Sequence, residues 1–168
     1  MKRTVFRKSL YLSVAFLAAS ISVRAGDKKP PEGSFSGLIH DKAVDKLAKP
    51  ISKKSGSSTF ALSVFTDAKA FQAFTDAAGL KKLPFEVDFD KQAVVVAVLK
   101  EHTNRLRFKS WNVKDGTGEL VFFWDGIEPF YKDRYPAVLY RVDRKGLDRV
   151  AIRVNGSDKT LGEIDLKK

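Results

Sequence analysis

No cysteine occurs in the 168 residues. That absence excludes a disulfide framework, a thiol nucleophile, a thiolate zinc site and a lipid-bearing cysteine behind a signal peptide. Histidine is nearly as scarce. His40 and His102 are far apart, and neither has a second ligand-type residue at the helical or strand spacing of a zinc site. There is no Gly-x-Gly-x-x-Gly turn and no phosphate loop. The nearest approach to a nucleophile elbow, Gly33-Ser34-Phe35-Ser36-Gly37, puts Phe35 where the serine would stand. A long apolar run is also missing: the stretch over 10–21 has 12 residues, against about 20 needed to cross a bilayer. Acidic residues are in deficit, 20 against 31 basic. With 43% hydrophobic and 30% charged residues, the chain has an ordinary globular composition whose stability must come from a core.

The short apolar stretch has a different use. Lys2, Arg3, Arg7 and Lys8 precede it, and Val23-Arg24-Ala25 follows with small residues at the third and first positions before a cut. Residues 1–25 therefore read as a secretory signal peptide, with a mature chain that is periplasmic or extracellular and has no membrane span after processing. Lys2-Arg3 in place of a twin arginine favours the general export route. The segment holds five basic residues and no acidic one, so removing it leaves 26 basic against 20 acidic residues, a net charge of +6 rather than +11. Export and this smaller charge set nucleic acid aside as a partner.

Residues 26–33 (GDKKPPEG) and the run 52–58 (SKKSGSS) lack core-forming residues, so 26–59 reads as a flexible or irregular leader. A single α+β domain is expected over 60–168. FALSVF (60–65) predicts a strand, and Asp67 caps a helix over 68–78 that Gly79 ends. Phe71 and Phe74 lie on its apolar stripe, which needs a sheet to cover. AVVVAVL (93–99) predicts a strand buried on both faces. Residues 105–113 and 119–124 flank Asp115-Gly116-Thr117-Gly118 as a hairpin; 137–142 and 149–154 suggest a second across Lys145-Gly146. Asn155-Gly156 then turns toward a last short strand, an explanation that also accounts for the sequon Asn155-Gly156-Ser157. The expected architecture is an antiparallel sheet of five to six strands with one main helix packed on a face.

The order of SVFTDAKAFQAF (63–74), then Val87-Asp88-Phe89-Asp90-Lys91 before the apolar strand, then a hairpin meander ending in Arg144-Lys145-Gly146, resembles the C-terminal domain of the bacterial envelope protease-complex subunit PrcB and similar small exported proteins. The resemblance covers about 60–154. It implies a non-catalytic module that binds or stabilises other proteins, with no catalytic residues to carry over. The sequence departs from the family at Glu101-His102-Thr103-Asn104, where the family carries a Gly-Gly-Tyr turn, and this bears on partner recognition.

Two groups of candidate binding residues stand out. Arg105, Arg107 and Lys109 alternate with Leu106 and Phe108, which puts three cations on one strand face as a polyanion-binding set, and Arg141, Arg144, Arg149 and Arg153 extend it. The alternative for this row is a solvated outer sheet face. The stretch 124–136 (WDGIEPFYKDRYP) reads as an aromatic loop whose Trp124, Tyr131, Arg134 and Tyr135 would anchor a partner, with Phe130 turned inward and Tyr131 outward. The alternative is packing at the sheet end. Glu86, Asp88 and Asp90 alternate but lack the glycine and glutamate of a calcium loop, so they read as a turn into the strand. No catalytic residue, metal ligand or cofactor is assigned. The function expected is an exported, non-catalytic binding or stabilising module for an envelope protein or cell-wall component. The alternatives are a hydrolase whose residues converge only in three dimensions, and an electrostatic binder of anionic glycan or lipid surfaces.

Overall fold

The computed structural model describes residues 32–56, 58–101, 104–127 and 132–167. Residues 1–25, expected to be a signal peptide, and His102, Phe130 and Tyr131 lie outside them. The chain is α+β. Its elements run β1 (Ser34–His40), a 3-10 turn (Asp41–Lys46), β2 (Ile51–Ser55), β3 (Ser58–Phe65), α1 (Ala68–Ala78), β4 (Gln92–Leu99), β5 (Asn104–Lys114), β6 (Thr117–Ile127), β7 (Arg134–Asp143), β8 (Arg149–Val154) and β9 (Thr160–Asp165).

The helix forms where its caps are strongest. The Asp67 carboxylate accepts the Ala70 N–H at 2.8 Å, and Gly79 stops the helix at φ 72°, a left-handed conformation that favours glycine. Phe71 and Phe74 are buried, and Phe65 on β3 meets their rings at 5.5 and 5.1 Å. Every apolar residue of β4 is fully buried. Val94, Val96 and Val98 face the helix, while Ala93, Val95, Ala97 and Leu99 face the other way. The expectation of a strand buried on both faces is met.

Among the described residues there are two sheets instead of the one expected. The first is five-stranded and antiparallel, in the order β1-β7-β4-β3-β2; the second is four-stranded, in the order β5-β6-β8-β9. Helix α1 covers one face of the five-stranded sheet, and the four-stranded sheet packs on the other, giving three layers. Phe60 and Phe122 meet across the inter-sheet core at 5.3 Å.

Two further expectations are corrected. Residues 137–142 and 149–154 do not form a hairpin, because both neighbours of β7 are already in place as β1 and β4. The turn at Gly146 (φ 75°) instead carries the chain to the second sheet, burying Leu147 on the way. The Asp148 N–H then reaches the Gly116 carbonyl at 2.7 Å, and β8 lies parallel to β6. The second correction concerns the leader. Residues 34–55 are part of the fold: β1 pairs with β7, β2 pairs with β3, and Ile39 and Ala43 are fully buried under the helix. Serine and glycine in β1 weaken its local strand signal, and its place is set by the edge of β7 that it fills.

Candidate functional site

The expected basic row lies on β5, but only part of it behaves as a simple alternation. Arg105 is exposed and Arg107 half-buried on the outer side of the four-stranded sheet, while Leu106 is buried in the core. A β-bulge between Phe108 and Ser110 takes Lys109 out of the ladder, and its ammonium reaches across β6 to the Asn155 side-chain oxygen. The bulge also reverses the parity of the strand, so that Trp111 packs against the core.

The cations expected to extend this row divide between the sheets. Arg149 and Arg153 share the outer face with Arg105 and Arg107, and both are paired. Arg149 lies 3.5 Å from the Glu163 carboxylate. Arg153 Nη2 donates to Glu119 Oε2 at 3.0 Å, and its Nε stands 3.0 Å from Oε1 without the alignment of a hydrogen bond. In register, Arg105 is opposite Asp125 and Arg107 opposite the half-buried Phe123. The face is therefore a pattern of both signs around Phe123, and among the described residues no helix lies on it. Arg141 and Arg144 belong to the other sheet, where their guanidinium groups donate to the carbonyls of Glu86 and Phe89 at 2.9 and 3.3 Å.

The aromatic loop is shorter than expected, because β6 runs on to Ile127 and β7 begins at Arg134. Trp124 is a β6 residue opposite Leu106, Arg134 is exposed at the start of β7, and Tyr135 is partly buried against the helix-side core. Trp124 thus belongs to one sheet and the pair Arg134–Tyr135 to the other; Tyr131 lies outside the described residues. Among the acidic candidates, Asp88 makes a turn: its carboxylate accepts the Asp90 N–H at 3.1 Å and pairs with Lys91 at 3.2 Å. Among the described residues no group of three or more His, Asp or Glu is placed to hold a metal ion, and no helix is long and apolar enough to cross a membrane.

A groove that sequence reasoning missed opens at the end of the sandwich where β4 begins and β7 ends. It consists of two hollows of about 430 and 650 Å³ that share Asp143, Lys145 and Leu147 as lining. Trp111 and Tyr140 stand in the wall of the smaller one with their rings 5.8 Å apart, and the Tyr140 ring also meets Phe108 at 4.5 Å. Burial pushes the Tyr140 phenol pKa up from its usual value, helped by the Asp143 carboxylate and opposed by Arg141. The sequence shows these residues only as strand formers and a turn. Their convergence depends on the bulge at Lys109 and on β7 and β5 facing one another across the sheets.

Comparison with protein-family models, curated proteins and solved structures returns no match to this chain.

Proposed function

We propose that the chain is an exported, non-catalytic binding module that holds an envelope protein through the outer face of its four-stranded sheet. The observation that carries this reading is the composition of that face. Cations and carboxylates alternate across the strands around Phe123, as in a surface matched to one partner's charge pattern; a uniform basic field would suit any polyanion. The resemblance of the helix, Val87-Asp88-Phe89 and β4 to the PrcB C-terminal domain supports the same class of function. The segment from Trp124 through Tyr131 to Arg134 and Tyr135 is a second contact in this reading, because the end of β6 leads directly into it.

The test is capture from envelope extract by the immobilised mature chain, compared with Phe123→Ala, Arg107→Glu and the pair Tyr131→Ala with Arg134→Ala. The expected result is one protein retained by the wild type and lost by about tenfold or more with Phe123→Ala at an unchanged thermal midpoint, corresponding to about 1.4 kcal/mol. A second reading, electrostatic binding of anionic glycan or lipid surfaces, would give a different result. Retention would then be indifferent to Phe123→Ala, removed by salt, and reduced by charge reversal at Arg105, Arg107 and Lys109.

A further inference from the structure

We propose that Asn155-Gly156, in the turn between β8 and β9, is a site of self-modification at which Lys109 assists conversion of the Asn155 side-chain amide to a carboxylate. Both turn residues are exposed, and Gly156 has φ 78°. The Ser157 N–H closes the turn by donating to the Val154 carbonyl at 3.1 Å, while the Gly156 N–H makes no hydrogen bond to any described residue. The space beside it is open: a Cβ added at Gly156 would meet nothing within 4 Å. The backbone nitrogen that follows the asparagine is therefore neither engaged nor screened by a side chain.

The bulge in β5 supplies the second element. It takes Lys109 out of the ladder and brings its ammonium to Asn155 Oδ1, where the positive charge polarises the amide carbonyl toward attack at Cγ. Asn112 offers a comparison within the same sheet. It lies inside β5, and the nitrogen after it belongs to the β-branched Val113.

The Gly156 nitrogen, after giving its proton to hydroxide from the solvent, adds to Asn155 Cγ. A nitrogen–carbon bond forms, the carbonyl π pair moves onto Oδ1, and Lys109 stabilises the oxyanion. Collapse restores the carbonyl and breaks the bond to the side-chain nitrogen, which takes a proton from water, regenerates hydroxide and leaves as ammonia. Water then opens the resulting imide ring. Breaking the bond between Cγ and the Gly156 nitrogen gives an aspartate at this position; breaking the bond between that nitrogen and the main-chain carbonyl carbon gives an isoaspartate. In sum a water is taken up and an ammonia released, with nothing oxidised or reduced.

Either product adds a negative charge to a turn that Lys109 contacts, and the isoaspartate lengthens the backbone between Val154 and Ser157 by a methylene. Arg153 links this turn to the outer sheet face, because its Nη1 donates to the Ser157 carbonyl at 3.4 Å while its Nη2 holds Glu119.

The experiment is a time course of the mature chain at neutral pH, read by peptide mapping in a mass spectrometer and by an ammonia assay. Lys109→Met, Lys109→Arg and the same chains unfolded in guanidinium chloride are run beside it. The expected result is conversion at Asn155 with matching ammonia, while Asn112 stays intact. Lys109→Met should slow the folded chain about threefold at an unchanged thermal midpoint, the size of effect expected of one exposed charged contact. Lys109→Arg should keep the wild-type rate, and all rates should coincide in the denaturant, where the contact is gone. Persistence of Asn155 in the folded chain while the unfolded chain converts would overturn the site. Equal folded-state rates for wild type and Lys109→Met would overturn the part given to Lys109. Ammonia released together with a branched peptide joining Lys109 to Asn155 would overturn the hydrolysis in favour of a covalent cross-link between the two side chains.

Discussion

Gly118 shows how closely one side chain fits another. A Cβ there would stand 2.1 Å from the Trp111 ring and 3.2 Å from Leu147, because the indole lies across the strand where glycine leaves room. Gly118→Ala should cost about 1–3 kcal/mol by overpacking, read as a lower urea midpoint, and trimming the indole in Gly118→Ala with Trp111→Leu should recover part of the loss. Tyr140 gives a pH signature. Its folded pKa is raised, so the native phenol keeps its proton at a pH where the unfolded one ionises. Stability from this group is complete below the ordinary 10.0 and is lost as pH rises from there through the folded value. Tyr140→Phe should flatten the decline in urea midpoint above pH 10.0, and a decline as steep as in the wild type would show that other groups cause it.

Among the elements, those specified by nearby residues were the legible ones. Asp67, the stripe of Phe71 and Phe74, and Gly79 define α1 within one short segment, and β4 announces itself by unbroken β-branched character. The hairpin β5–β6 was likewise visible in Asp115-Gly116. What failed depended on partners far away in sequence. β1 has a modest pattern of its own, and β8 could not be assigned to β6 without knowing that β7 was already flanked. The incorporation of β1 has a measurable consequence: Ile39 is fully buried, so Ile39→Ala should cost about 2–5 kcal/mol. A substitution in a detached leader would leave the denaturation midpoint where it was.

For the whole molecule, the sequence pointed to α+β, and the second sheet emerged only from the three-layer arrangement, in which one five-stranded sheet supplies both cores. The candidate sites followed the same rule. Arg105 and Arg107 were found because alternation is local. The groove was not, since Trp111 turns inward through a bulge and its neighbours Tyr140 and Lys145 come from a later strand and turn. The pairing of β1 with β7 also bears on the order of assembly. While the chain is being made, Ser34–His40 must wait for Arg134–Asp143 before its backbone groups find their ladder, and until then the outer edge of β4 is open as well. Such contacts between distant positions slow folding and leave strand edges available to other chains. A nascent chain of this protein therefore remains threadable, and also prone to aggregation, until most of its length has emerged.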